Sequence, residues 1–383
     1  MKVLFQDTGQ RAHALTDVRK VVIKVGTRLL TSINDSSKGE RITQLIAQVA
    51  ALQASGLDVI LVSSGAIGAG MLVLENAKRP ASLPQLQAHA AVGQSRLMYL
   101  YETACQQYGF HCAQILLTAA DVQDRERHLN VTSCIEALLN RKVLPIINEN
   151  DSVSVDEIKF GDNDMLAALV AVMSKADLTI LLTSVDGLYE VKDNHLTNRI
   201  SVVPKLTRTI MTMARRTDDE RFSVGGMITK LQAAAHVTKA GENLWIADGR
   251  DFTVLSDIFA GKDVGTLFTA AKSTRMRGRQ RYLAFFSEYA GDIIVDAGAE
   301  QALLEQGRSL LPSGIVNVKG CFKRGDTVRI MTDQEKEIAR GVTNYSSEEI
   351  ARIKGCHTRA IRGILGYDGY DAVVHRNYMV LTT

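Results

Sequence analysis

Short apolar runs alternate with longer segments of helical length along the first two thirds of the chain. The predicted strands are Val21–Val25, Val59–Val62, Ala113–Leu117, Val143–Ile147, Thr179–Thr183 and Leu244–Ala247. The predicted helices are Arg41–Gln53, Ala81–Tyr108, Met165–Lys175 and Leu231–Ala240. Strands that alternate with helices are typical of a parallel sheet with helices on both faces. The pattern therefore predicts an α/β fold, a three-layer αβα sandwich around a mostly parallel central sheet.

After residue 281 the pattern changes to short segments separated by turn residues. The predicted strands there are Asp292–Val295, Gly314–Val318, Thr327–Ile330, Ala339–Tyr345 and Ala372–Val374, with one helix at Glu348–Ile353. Such a series predicts a small, mainly β barrel. A basic cluster precedes it, formed by Lys272, Arg275, Arg277, Arg279 and Arg281, and we interpret this cluster as a solvated linker. The predicted domains are residues 1–272 and 281–376.

Size and composition are those of a globular, enzyme-sized protein. The 383 residues are 46% hydrophobic, enough for a large core and for two domains. The sequence contains no run of about 18 apolar residues and its start has no signal-peptide core, so we expect a cytoplasmic protein without a membrane partner. Five cysteines without CxxC spacing argue against a disulfide framework or a zinc site. A net charge of +3 is too small to indicate nucleic acid by itself.

Two polar tetrapeptides follow the predicted strand Val143–Ile147. They are Asn148-Glu149-Asn150-Asp151 and Gly161-Asp162-Asn163-Asp164. Amides and carboxylates at the carboxyl end of a strand are suited to holding a small polar substrate or a metal. The alternative is a polar loop with a helix N-cap at Asp164. Two such tetrapeptides in one connection between a strand and a helix favour the functional interpretation.

Two lysines and two glycine-rich turns supply candidate phosphate ligands. Lys24 lies in an apolar strand before Gly26, a costly position unless an anion meets it, although its head could also reach water. Ser64 and Gly65 begin a small-residue turn that could bind an anion or serve close packing. Lys230 follows a glycine pair at a predicted helix start, which could hold nucleotide phosphates or be a flexible loop.

Together these features indicate phosphoryl transfer, in which catalysis is mostly positioning and neutralisation of oxygen charge. None of these loops contains a histidine. A carboxylate acceptor would need no general base, because its pKa of about 4.3 leaves it ionised at neutral pH.

Several motifs resemble those of the amino acid kinase superfamily and, within it, the glutamate 5-kinases of the bacterial type. The carriers are Val22-Ile23-Lys24-Val25-Gly26-Thr27, Ser64-Gly65-Ala66-Ile67, Ala91-Val92-Gly93-Gln94, Asp124-Arg125-Glu126-Arg127, Asn148-Glu149-Asn150-Asp151, Gly161-Asp162-Asn163-Asp164 and Gly225-Gly226-Met227-Ile228-Thr229-Lys230. The resemblance extends from about Val21 to Val374, and the tail around Ser309–Ile315 and Phe322–Asp326 is similar to a PUA domain.

The resemblance implies ATP-dependent phosphorylation of the γ-carboxylate of L-glutamate to L-glutamate 5-phosphate, the first step of proline biosynthesis. It also implies Mg²⁺ as a cofactor, proline as a feedback inhibitor and a homo-oligomer. The implied catalytic residues are Lys24, Lys230 and Asp164. The implied glutamate-binding residues are Ser64, Asp151, Asn163, Asn148 and Asp162. The implied nucleotide-binding residues are Lys24, Gly26, Gly65, Thr183, Ser184, Gly225, Gly226, Met227 and Lys230. No metal ligand from the protein is implied.

Three positions depart from the family pattern. Ser184 stands where Asp is frequent, Arg28 where Ser is usual, and Ser223-Val224 where Gly-Thr commonly precedes the glycine pair. Two alternatives to glutamate phosphorylation remain. The chain could be another kinase of the superfamily, acting on carbamate, acetylglutamate, aspartate or a nucleotide. The PUA-like tail could bind RNA, although its Lys/Arg and Asp/Glu residues are equal in number, without the basic excess expected of such a surface.

Overall fold

The computed structural model describes residues 9–30, 36–76, 78–153, 163–192, 195–217, 226–270, 276 and 278–382. Two of the predicted site residues, Asp162 and Gly225, lie outside these ranges, as do Ser223-Val224. The chain divides into two compact units, Met1–Val122 with Glu126–Arg275 and Gln123–Arg125 with Met276–Thr383. The predicted domain limits of 1–272 and 281–376 stay a prediction.

The first unit alternates strands and helices. Its strands are β1 Lys20–Val25, β2 Asp58–Val62, β3 Cys112–Leu117, β4 Leu144–Glu149, β5 Leu178–Thr183, β6 Tyr189–Lys192, β7 His195–Arg199, β8 Val202–Val203, β9 Asn243–Asp248 and β10 Thr266–Phe268. The helices that lie wholly or mostly in it are α1 Gln10–Leu15, α2 Thr27–Leu30, α3 Ser36–Ala54, α4 Ala66–Val73, α5 Leu83–Gln106, α6 Ala119–Gln123, α7 Arg125–Asn140, α8 Asn163–Ser174, α9 Arg208–Thr217, α10 Met227–Lys239 and α11 Val254–Phe259.

Eight of these strands form one sheet in the order β3-β4-β2-β1-β5-β9-β10-β8. β1 lies between β2 and β5 and is parallel to both, with Lys24 opposite Val62 on one side and Leu181 on the other. Among the described strands of this sheet, β9 and β10 form the one antiparallel pair. The predicted mostly parallel sheet is confirmed, and the carboxyl ends of β1, β2, β4 and β5 meet at one edge.

Helices cover both faces of the sheet. On one face, α3 and α5 bury Ile46 and Tyr101 in a core that contains the side chains of Val21 and Ile23. The helix α8 packs on β1 and β5, and α10 packs on α8 and β9. Almost every residue from Leu166 to Ser174 is buried, which is expected of a helix enclosed on several sides.

The second unit is separate and mainly β. Its strands are β11 Gly291–Val295, β12 Ile315–Gly320, β13 Thr327–Thr332, β14 Glu337–Thr343 and β15 Val374–Leu381. Its helices are α12 Gly278–Phe285, α13 Ala297–Leu304, α14 Ser347–Ile353 and α15 Ile361–Leu365. The strands form a sheet in the order β12-β11-β13-β14-β15 around its own apolar core. A capping box between Ser346 and Glu349 begins α14.

Several local predictions were wrong. The last strand is not Ala372–Val374 but the eight residues of β15, and β14 begins at Glu337 rather than Ala339. The basic cluster is not a solvated linker throughout, because α12 contains Arg281, which is 2% exposed and donates from Nε to the carbonyl of Met276 at 2.8 Å. Lys272, Arg275 and Arg277 lie outside the described residues.

Candidate active site

Three charged side chains from three elements meet inside the first unit. Asp164, in the first turn of α8, is fully buried. Its Oδ1 lies 2.6 Å from the Nζ of Lys24 on β1, and its Oδ2 lies 2.9 Å from the Nζ of Lys230 on α10. Both lysines are buried, at 6% and 5% exposure. The alternative of a lysine head reaching water is therefore wrong for Lys24, which pairs with an internal carboxylate.

The electrostatics of this triad favour an ionised Asp164. Burial alone would raise the pKa of Asp164, but the ammonium groups of Lys24 and Lys230 outweigh burial and hold that pKa below its usual value. One carboxylate between two ammonium groups leaves the cluster with a positive charge. The N-termini of α8 and α10 add their dipoles to that charge, so an anion is favoured there.

Asp164 lies inside the helix rather than at its cap. α8 begins at Asn163, so Asp164 is the second residue of the helix, and the alternative of an N-cap at Asp164 is wrong. The N-cap of helix α10 is Gly226, which has no side chain to cap the helix. Thr229 donates from Oγ1 to the carbonyl of Gly226 at 2.9 Å. The same hydroxyl lies 3.3 Å from Asp164 Oδ2, which ties the start of α10 to the triad.

A chain of amides and hydroxyls lies next to the triad. Asn163 Nδ2 lies 2.6 Å from Ser64 Oγ, 2.6 Å from the carbonyl of Ser63 and 3.0 Å from Asn148 Oδ1. Asn148 is 2% exposed and ends β4 beside Glu149. The ends of β2 and β4 and the start of α8 are thus joined by polar side chains, as expected where strand ends meet.

Close packing is one of the two functions considered for the glycine-rich turn after β2, and anion binding stays a prediction. Gly65 precedes α4 with φ of +101°, a conformation that other residues rarely adopt. A Cβ on Gly70 would lie 1.9 Å from the carbonyl oxygen of His89, and one on Gly93 would lie 1.8 Å from that of Ala66. Close packing of α4 on α5 therefore requires Gly70 and Gly93, and Gly65 shapes the turn at the cleft.

A cleft of about 390 Å³ opens at this edge of the sheet. It is lined by ten predicted site residues: Lys24, Gly26, Ser64, Gly65, Asn148, Asp151, Asn163, Thr183, Ser184 and Lys230. Asp164 does not line the cleft because it is enclosed behind the lysines that it pairs with, and Gly226 and Met227 lie at the start of α10 without lining it. Among the described residues, no group of three or more His, Cys, Asp or Glu side chains could hold a metal ion.

Three charged residues that line this cleft have no role predicted from the sequence. Glu149 and Arg79 line it, and Arg28, noted only as a departure from the family pattern, lines it as well. Arg79 comes from the segment between α4 and α5, about 70 residues from the nearest polar tetrapeptide, so no local spacing connects them. Glu149 could have been found, because it lies inside the tetrapeptide Asn148–Asp151.

Residues 19–248 match the family model described as the amino acid kinase family, and residues 291–365 match the PUA domain. The fold and the cleft thus define a protein of the amino acid kinase class. Glutamate 5-kinase of Caldanaerobacter subterraneus subsp. tengcongensis is 45% identical over 365 residues, which cover 94% of this chain and 97% of the relative. Glutamate 5-kinase of Geobacter sulfurreducens is 44% identical over 373 residues, covering 97% and 100%. The chain belongs to the glutamate 5-kinase family.

Among solved structures, the carbamate kinase of Giardia is 19% identical, with a TM-score of 0.48, and its match covers 67% of this chain and all of that one. No helix within the described residues is long and apolar enough to cross a membrane.

Proposed function

We propose that this protein transfers the γ-phosphoryl group of ATP to the γ-carboxylate of L-glutamate. The products are L-glutamate 5-phosphate and ADP, and the reaction is the first step of proline biosynthesis. The observation that carries this proposal is the buried triad of Lys24, Asp164 and Lys230 at a cleft lined by amides and carboxylates. The relatives named glutamate 5-kinase support glutamate as the acceptor.

The chemistry needs positioning and charge more than proton transfer. An oxygen of the glutamate γ-carboxylate attacks the γ-phosphorus, the bond from that phosphorus to the bridging oxygen of ADP breaks, and the electron pair leaves with ADP. Lys24 and Lys230 would neutralise the charge on the transferring oxygens, and Asp164 would hold both ammonium groups in place. The acceptor is already ionised at neutral pH, so no general base is required.

The remaining predicted residues divide between the two substrates. Ser64, Asn163, Asn148 and Asp151 would bind glutamate, with Asp151 taking the α-ammonium group, and Asp162 belongs to the same assignment. Gly26, Gly65, Thr183, Ser184, Gly225, Gly226 and Met227 would border ATP together with the two lysines. Mg²⁺ would enter as the MgATP substrate, bound by the nucleotide phosphates.

The proposal also includes inhibition by proline, a homo-oligomeric state and a cytoplasmic location. Free proline should compete with glutamate, because it shares the α-carboxylate and the α-nitrogen. Inhibition that persists undiminished at saturating glutamate would contradict competition. We also propose a cytoplasmic homo-oligomer, which sedimentation of the purified protein at several concentrations would test.

Acceptor profiling tests the reaction. ADP release is measured with purified protein, MgATP and each of L-glutamate, acetylglutamate, aspartate and carbamate. The expected result is the highest kcat/KM with L-glutamate. A higher kcat/KM with any other acceptor would refute the assignment.

A further inference from the structure

Gln94, on helix α5, has a fixed orientation next to the tetrapeptide Asn148–Asp151. Its Oε1 accepts a hydrogen bond from Asn148 Nδ2 at 3.0 Å. Asn148 Oδ1 in turn accepts from the backbone N–H of Glu149 at 2.9 Å and from Asn163 Nδ2 at 3.0 Å. Because Asn148 uses its oxygen for two donors, only its Nδ2 is left for Gln94, and Gln94 must present its oxygen in return. The Nε2 of Gln94 therefore points away from Asn148.

That Nε2 group is a buried donor without a partner among the described residues. Gln94 is 8% exposed, and its Nε2 atom is shielded from solvent. No oxygen of the described residues accepts a hydrogen bond from it. Unpaired buried donors are uncommon in native proteins, and each one calls for an explanation. A ligand oxygen that binds only when substrate is present would supply it.

Gln94 also lines a cavity of about 260 Å³ that adjoins the cleft. Ala66, Glu149 and Asp151 line both the cavity and the cleft, whereas Lys24 and Lys230 line only the cleft. A molecule that extends from the lysines past Asp151 would thus place its far end in this cavity. Carboxylates at the shared wall favour an ammonium group there, and the Gln94 donor favours a carboxylate oxygen beyond it.

We propose that Gln94 is an acceptor-binding residue that donates from Nε2 to the α-carboxylate of the amino acid acceptor. This inference rests on the proposed function, because it takes the reacting γ-carboxylate to be at the two lysines. With Asp151 holding the α-ammonium group, Gln94 would make the cavity specific for an α-amino acid rather than for a simple carboxylic acid. The Gln94–Asn148 bond would position the donor before the acceptor arrives.

The test is Gln94→Glu, in which one carboxylate oxygen can still accept from Asn148 and the other faces the cavity with a negative charge. The expected result is a KM for L-glutamate raised by at least roughly tenfold, as for the loss of a charge-assisted hydrogen bond, with the KM for ATP unchanged. Gln85→Glu, an exposed change on the same helix, is the matched control and should leave both KM values unchanged. Gln94→Met replaces Gln94→Glu if the latter does not fold.

A second ligand separates direct binding from an effect passed through Asn148. The inhibition constant of 4-aminobutyrate against glutamate is measured for wild type and variant, because this molecule lacks the α-carboxylate. The proposal expects that constant to stay within about twofold. An equal loss for glutamate and 4-aminobutyrate would make Gln94 a positioning residue and overturn the inference, as would an unchanged KM for glutamate. Failure of the wild type to phosphorylate glutamate would instead refute the proposed function.

Discussion

Asp164→Asn should leave two buried ammonium groups without a carboxylate partner and so destabilise the first unit. Lys24 and Lys230 lie 2.6 Å and 2.9 Å from the carboxylate oxygens, and all three side chains are nearly enclosed. Removing one partner of a buried ion pair typically costs about 3–5 kcal/mol, because the remaining charge is left uncompensated. The change is nearly isosteric, so lost packing contributes little.

The loss in the free energy of unfolding has an upper bound, because a buried lysine without its carboxylate partner can lose its proton. With an ordinary lysine pKa of about 10.4, neutralising one ammonium group at pH 7.5 costs about 4 kcal/mol. We therefore expect a loss of about 4 kcal/mol in the free energy of unfolding. If the folded variant holds one neutral lysine, its unfolded state binds one more proton, and stability rises with pH. The deficit relative to wild type should shrink by about 1.4 kcal/mol per pH unit between pH 7 and 9.

Urea unfolding followed by tryptophan fluorescence measures this loss in the relevant unit. Trp245 is the one tryptophan of the chain and is fully buried in β9. Asp17→Asn, an exposed change in the same unit, is the control and should unfold like wild type. Saturating MgATP should restore more stability to Asp164→Asn than to wild type, because its phosphates supply the missing negative charge.

An Asp164→Asn protein with the wild-type unfolding midpoint and no pH-dependent recovery would refute this reasoning. It would mean that water or another group compensates the lysines without the carboxylate. If the variant is less stable than wild type at pH 7 and the difference stays constant up to pH 9, the cause is lost hydrogen bonding and not an uncompensated buried charge.

Three further changes probe the site and its support. Lys230→Met should lower kcat by about 10²-fold or more while the KM for glutamate changes little, because its charge matters most in the transition state; near-normal kcat would contradict this. Asp151→Asn should raise the KM for glutamate roughly ten- to hundredfold, whereas a collapse of ATP binding alone would assign this carboxylate to the nucleotide. Gly93→Ala should lower the urea midpoint, because the new Cβ would lie 1.8 Å from the Ala66 carbonyl oxygen. Gly39→Ala in α3, where a Cβ would meet open space, should raise the urea midpoint slightly. Equal midpoints for the two variants would contradict the packing argument.

The central strands could be predicted because they are long and continuously apolar. The predicted Val21–Val25 and the observed Lys20–Val25 differ by one residue. The short strands β8 and β10, of two and three residues, were not predicted, because so few residues carry no periodicity. The hairpin of β6 and β7 was also missed.

In the site, the sequence indicated residue types but not their partners. Lys24 and Lys230 were identified as cations near glycine turns, yet only the folded chain puts both on one carboxylate. Gln94 was visible only as the end of the motif Ala91–Gln94. Its chemistry depends on Asn148, 54 residues away, and on which end of each amide faces the other. Hydrogen-bond orientation of this kind is a tertiary property that no local spacing encodes.

Helix α1, before β1, makes another contact that depends on the tertiary structure, at the β8 side of the sheet. Arg11 on α1 is 1% exposed, donates to the carbonyls of Ser201, Val264 and Gly265, and lies 4.7 Å above the ring of Trp245. The residues that carry these carbonyls lie next to β8 and β10, the two short strands that pair with each other and come last in the strand order of the sheet. Strands of two and three residues supply few ladder bonds, so a guanidinium that bridges both compensates for their shortness. Because β5 and β9 separate those two strands from β1, and no residue of α1 lines the cleft, we assign α1 to support of the sheet.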